Sequence, residues 1–153
     1  MNRFGFFLVS TVLLFLSAPA IVQADTEAQL EAIDKSIRFR EYQKAVKQLQ
    51  PLLKEKIPQA QFRMAELFRS GRGIKKNLKQ ALAMYEKAAV NGHVDAQYTL
   101  AFLLEKRGDD TQAEYWYQQA AEQGLAKASK KLSSLRGDLS LIHISEPTRP
   151  LHI

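Results

Sequence analysis

The sequence contains no cysteine, and that absence excludes several kinds of protein at once. Without thiols there is no disulfide framework, no lipid-modified cysteine and no thiolate for metal binding or nucleophilic attack. Histidine is scarce as well: His93, His143 and His152 are the whole supply. A zinc site usually needs three or four well-spaced protein ligands, and His93 has only Asp95 near it in sequence. A Ser-His-Asp or Cys-His nucleophile is likewise unsupported. The reading is therefore of no metal, no cofactor and no catalytic residue. Seven glycines and five prolines in 153 residues, with 46% hydrophobic and 25% charged residues, fit one modest globular domain rather than a fibrous or disordered chain.

Long apolar runs are missing except at the start. Asn2-Arg3 supplies a positive flank, Phe4 to Leu16 an apolar stretch too short to cross a bilayer comfortably, and Val22-Gln23-Ala24 a small-x-small cleavage pattern. Residues 1–24 read as a secretory signal peptide cut before Asp25. The mature chain is then expected to be periplasmic or secreted, with no stable membrane insertion after cleavage. Loss of Arg3 leaves 21 basic against 16 acidic residues, so the net charge of +6 becomes +5. Charge of this size bears on association and solubility, and names no ligand.

What the chain does have is repetition. "ALAMYEKAAVNG", Ala81 to Gly92, returns as "AEYWYQQAAEQG", Ala113 to Gly124, and Ala60-Gln61-Phe62-Arg63-Met64-Ala65 aligns with Ala96-Gln97-Tyr98-Thr99-Leu100-Ala101. The offset is 36 residues at the earlier block and 32 at the later one, so the second unit has a central turn four residues shorter. Within a unit the apolar positions follow a helical period. Ala60, Met64, Leu67 and Phe68 share one face of a first helix, and Ala81, Tyr85, Ala88 and Ala89 one face of a second. Gly71 and Gly73 can take the positive φ that ends one helix and turns the chain, and Asn91-Gly92 ends the next. Each unit is a helical hairpin. A lone hairpin buries too little apolar surface to offset its ordering entropy, at about 25 cal/mol per Å² against about 1–2 kcal/mol per residue, so copies must stack. Small residues at Ala60, Ala81, Ala88 and Ala89 let the helices approach, while Tyr85, Trp116 and Tyr117 fill the gaps.

The stretch "AQFRMAELFRSGRGIKKNLKQALAMYEKAAVNGHVDAQYTLAFLL" resembles the Sel1-like repeat, a relative of the tetratricopeptide repeat. Ala65 stands for the first glycine of that pattern and Phe68 for its tyrosine, and the second unit has "KRGDD" where a G-x-G turn belongs. The resemblance implies an all-α fold, a right-handed α-solenoid of stacked hairpins, and adaptor or scaffold roles. The segments read as a degenerate capping hairpin over 25–59, repeats over 60–95 and 96–127, and the start of a further repeat or capping helix over 128–138. From Leu139 the string "LSLIHISEPTR" fits no repeat and resembles the in-frame translation of a transposase-type sequencing adapter. Residues 139–153 are therefore read as an artefactual tail, in which His143 and His152 carry no functional weight.

Three features invite functional readings. His93 follows Gly92 and reads as a solvated turn residue, while Gly71-x-Gly73 follows a helix and lacks G-K-[ST], which excludes a phosphate loop. Asp109-Asp110 reads as a helix cap. The basic run Arg63, Arg72, Lys75, Lys76 and Lys79 reads as a solvated face or, alternatively, as a binder of an anionic envelope surface or polymer; no nucleic-acid-binding signature accompanies it. On a helical wheel at about 100° per residue, Phe62, Glu66 and Arg69 leave the core face, and Tyr98, Phe102 and Glu105 occupy the same arc. First helices line the concave side of such stacks, so these six residues suit a protein or peptide partner, unless Phe62 and Tyr98 pack between units instead. Some cysteine-rich secreted members of the family have β-lactamase-like activity, but this sequence has neither their cysteines nor an S-x-x-K. The reading is of an exported, non-enzymatic interaction protein.

Overall fold

The computed structural model describes residues 18–144, with side chains from 23 to 137. Most of the expected signal segment and the end of the expected tail, residues 1–17 and 145–153, lie outside the described residues. Seven α-helices follow one another without a strand among the described residues: α1 (Ala18–Arg38), α2 (Tyr42–Lys54), α3 (Pro58–Ser70), α4 (Leu78–Val90), α5 (Val94–Glu105), α6 (Asp110–Glu122) and α7 (Ala126–Ile144). Each helix packs on the one before it and the one after, which makes the chain an α-solenoid. α1 runs through the junction at Ala24, and α7 passes Asp138 and ends at Ile144.

The helix ends are written by local chemistry. Pro58 opens α3, where its missing N–H costs nothing, and Gly71 closes it in the left-handed region at φ 73°. The Asn77 side chain accepts from the Gln80 N–H to cap α4, and Asp109 accepts from Gln112 to cap α6, as an acidic residue at that place should. The ends of all six helices from α1 to α6 show one hydrogen-bond pattern, and at three of them it recurs at the repeat spacing. Ile57 N–H donates to Leu52, His93 to Ala88 and Leu125 to Ala120, and the left-handed residue just before each donor is Lys56, Gly92 and Gly124. The spacings, 36 and then 32, are those of the repeat. α2 therefore ends as the repeats do, with lysine in a conformation that glycine adopts more cheaply.

The periodic apolar residues form the core. Ala60, Met64, Leu67 and Phe68 of α3 and Ala81, Tyr85, Ala88 and Ala89 of α4 are all buried, joined from α1 and α2 by Ile33, Ala45, Leu49 and Leu52. A second cluster continues the core through Ala101, Ala113, Tyr117, Ala120 and Ala128, and half-buried Trp116 packs against both. Alanine at these points brings helix backbones together, and the two fully buried tyrosines, expected between hairpins, instead pack against the first helix of their own hairpin, Tyr85 on Phe62 and Tyr117 on Tyr98.

Candidate functional site

The first helices α3 and α5 carry the six residues expected to face a partner, and the structure shows what each one touches. Phe62 is half-buried: its ring stacks on His93 at 4.6 Å and 17°, and lies 5.9 Å from Tyr85 at 57°. Tyr98 is half-buried against Tyr117 at 5.5 Å, and the Lys127 ammonium of α7 sits 4.5 Å from its ring centroid. Both aromatics thus pack between successive elements. Phe102 differs. It remains 37% exposed, with Lys106 at 5.5 Å and Lys131 at 5.9 Å from its ring.

The charged members are engaged within the chain. The Tyr85 hydroxyl donates to Glu66, while Arg69 donates through Nε to Tyr85 Oη at 3.0 Å and through Nη2 to Glu66 Oε2 at 2.6 Å. In the second unit Tyr117 donates to Glu105 at 2.6 Å, and Lys131 donates to the same carboxylate at 2.9 and 3.2 Å. Burial, with the Glu66 hydrogen bond and charge, pushes the Tyr85 hydroxyl well above the usual phenol value. Burial and Glu105 do the same to Tyr117, so both tyrosines stay proton donors. Partial burial opposes ionisation of Glu105, but hydrogen bonds from Tyr117 and Lys131 outweigh it and hold the carboxylate below its usual value.

The basic run divides. Arg63 forms a two-pronged ion pair with Asp34 of α1, and Arg72 lies over the Tyr42 ring at 5.6 Å. Lys75, Lys76 and Lys79 are exposed and form no ion pair among the described residues. His93 is not a solvated turn residue. It is half-buried, stacks on Phe62, and accepts the Ala96 N–H at Nδ1 to cap α5. An accepting Nδ1 requires the neutral ring, and burial lowers its pKa, with Asp95 opposing and Arg63 assisting. No group of three or more His, Asp or Glu side chains that could hold a metal ion occurs among the described residues.

A buried amide relay went unread in the sequence. Gln97 is buried, donates to the Ala89 carbonyl at 3.1 Å and accepts from Gln123 at 2.7 Å; its counterpart Gln61 accepts from Asn91 at 3.2 Å. The signal was present in the aligned Ala-Gln pairs, Ala60-Gln61 and Ala96-Gln97, and in amides at Asn91 and Gln123 spaced by 32.

A family model of the Sel1 repeat matches residues 58–93 and 94–125. The chain carries Sel1 repeats. A Sel1 repeat protein from Oxalobacter formigenes superimposes with a TM-score of 0.63 at 32% identity, over 68% of this chain and 44% of that one. A protective antigen of uropathogenic Escherichia coli with an SLR fold gives a TM-score of 0.57 at 21% identity, over 61% and 21%, and speaks to the fold alone. In Schizosaccharomyces pombe, chitin synthase regulatory factor 4 is 35% identical over 54 residues and factor 3 is 35% identical over 78. These cover 35% and 48% of this chain, which spans 8% of the length of each. Sel1 repeats are generally non-catalytic protein-interaction modules. The same repeats here place their polar first-helix residues in internal ties and leave Phe102 outward. Among the described residues, no helix is long and apolar enough to cross a membrane.

Proposed function

We propose that this is an exported, non-catalytic adaptor that holds a protein or peptide partner on the face built by α3, α5 and α7. The observation that carries this reading is Phe102, an exposed aromatic framed by Lys106 and Lys131 on a surface whose other charges are already fixed. An aromatic anchor held by a rigid surround contributes more to association than a flexible one, because little side-chain freedom remains to be lost. The names of the fission-yeast relatives, regulatory factors, favour the same kind of role. Phe62 and Tyr98 serve by fixing the spacing between units, with Phe102 as the contact.

Quantitative capture from an envelope extract tests this, with wild-type protein and single alanine variants compared. Phe102→Ala should lower capture of the principal partner about tenfold, within the hot-spot range, while stability falls by only about 1 kcal/mol, the scale of its ring–cation contacts. Phe62→Ala should lower stability first. A loss of capture that tracks stability equally in both variants would mean that Phe102 is structural and the face is not the contact.

A further inference from the structure

The formal charge of +6 is concentrated in two short segments. Residues 38–47 and 71–79 hold Arg38, Arg40, Lys44, Lys47, Arg72, Lys75, Lys76 and Lys79 against Glu41 alone, a net of +7, so the rest of the chain sums to −1. The fold brings these segments together. They are the turn between α1 and α2 with the first residues of α2, and the turn between α3 and α4. Gly73, at φ 70°, lies so close to Tyr42 that a Cβ there would meet Tyr42 backbone and Cβ atoms at 2.6 Å. Arg72 covers the ring of the same tyrosine. Between the turns is a cleft of about 680 Å³ lined by Arg40, Glu41, Tyr42, Lys44, Lys47 and Gly73.

Other exposed cations without an ion pair among the described residues, such as Lys54, Lys87 and Lys130, are scattered along the solenoid, whereas these eight are gathered with Glu41 as the one carboxylate in their segments. Arg63, Arg69, Lys127, Lys131 and Arg136 all have carboxylate partners. The eight at the turns are exposed, and among them only Lys44 has an ion pair among the described residues, with Glu41. Uncompensated charge on one edge opposes its own assembly and attracts anions. Two large apolar side chains share this edge: Phe39, 69% exposed between Arg38 and Arg40, and Leu78, 55% exposed beside Lys79.

The combination selects the anion. A soluble polyanion engages cations and leaves Phe39 and Leu78 in water. An anionic bilayer takes both, with phosphates against the ammonium and guanidinium groups and the apolar side chains in the headgroup–acyl boundary. We propose that the edge formed by the α1–α2 and α3–α4 turns docks on an anionic phospholipid surface. Arg63, paired to Asp34, is outside this site, and Arg40, Lys44 and Lys47 are inside it.

Vesicle co-sedimentation of the full chain tests the proposal. Neutral phosphatidylcholine vesicles are compared with vesicles that also contain about 30% phosphatidylglycerol, an anionic lipid. Wild-type protein should partition to the anionic vesicles and be released as salt rises from about 0.05 M to about 0.5 M. Combined Arg40→Glu, Lys75→Glu and Lys76→Glu should weaken partitioning at least tenfold, at about fivefold per cation removed. Phe39→Ser alone should weaken it several-fold with every charge retained. Equal partitioning to neutral vesicles by wild type and the charge-reversed variant would assign binding to the apolar stretch at Phe4–Leu16 and overturn the proposal. Unchanged binding of Phe39→Ser, with full competition by soluble polyphosphate, would overturn it in favour of a polyanion site.

Discussion

The two Sel1 repeats solve the same packing problem with different parts. In the first, a carboxylate at Glu66 receives the Tyr85 hydroxyl, and the cation that completes the cluster, Arg69, stands one turn away on the same helix. In the second, the carboxylate is Glu105, which aligns with Arg69, while Phe102 occupies the place of Glu66. The Tyr117 hydroxyl still finds its acceptor, but the cation now arrives from α7 as Lys131. The first repeat closes its polar cluster internally; the second needs the next helix. Exchanging the carboxylate's position also moves an aromatic to the surface, so the residue proposed as a partner anchor is a by-product of the swap. The turns differ in the same sense. Gly71 to Asn77 folds back on α2 through Gly73 and Tyr42, whereas Gly108 in the shorter turn has nothing within 4 Å of where a Cβ would lie.

The largest expected effect tests that difference in turns. Gly73→Ala meets both a left-handed φ of 70° and a clash with Tyr42 at 2.6 Å, mostly with backbone that cannot swing aside. A loss of about 3 kcal/mol or more is expected, from αL strain of about 1–2 kcal/mol plus displacement of the turn. Gly108→Ala, at φ 80° in open space, should cost only the strain, about 1 kcal/mol. Urea unfolding of both variants decides it. Equal losses would show that the contact between Gly73 and Tyr42 is not holding the capping hairpin to the first repeat.

How much of this was legible in the sequence follows from what a period records. A buried face recurs every turn, so Ala60, Met64, Leu67, Ala81, Tyr85 and Ala88 could be placed in the core without coordinates, and the glycines that end helices could be named. A helical wheel does not record which helix lies across from it. Phe62, Tyr98 and Phe102 share one arc, yet His93 covers the first, Lys127 and Tyr117 flank the second, and of the three Phe102 alone is exposed rather than half-buried. The carboxylates fared similarly. Glu66 and Glu105 look like free surface charges until Tyr85, Tyr117 and Lys131 arrive from other helices. The basic run is contiguous in sequence, but Arg40, Lys44 and Lys47 join it only because Gly73 packs on Tyr42.

A smaller effect should separate the two buried glutamines. Gln97 ties repeat to repeat through the carbonyl of buried Ala89, which also accepts the Gly92 N–H, so Gln97→Leu removes one of two donors to that carbonyl and the partner of Gln123. About 1.5 kcal/mol is expected, for two lost hydrogen bonds at a net of about 0.5–1.5 kcal/mol each. Gln61→Leu frees only the amide of Asn91, an exposed residue that water can solvate, and should cost less than about 1 kcal/mol. Thermal unfolding of the pair gives the ranking. The reverse order would place the principal polar tie inside the first repeat and not at the junction between them.

The junction itself should respond to acid through His93. Its folded-state pKa lies below the ordinary 6.5, chiefly because burial against Phe62 disfavours the charged ring. The unfolded chain therefore binds more protons than the folded one as pH falls past 6.5, and linkage makes stability decline with acidification through that window. Geometry gives the same sign, because an imidazolium has no lone pair at Nδ1 to accept the Ala96 N–H, so the α5 cap is lost together with neutrality. Loss of a cap sets the size at about 1 kcal/mol. His93→Asn keeps a capping oxygen and does not titrate, so a chain carrying it should be slightly less stable near neutrality, where the ring stack is missing. It should also lose the downward slope between pH 7 and pH 5. Chemical denaturation at a series of pH values measures both slopes, and parallel curves for the two chains would place the acid sensitivity among the carboxylates, leaving His93 as packing alone.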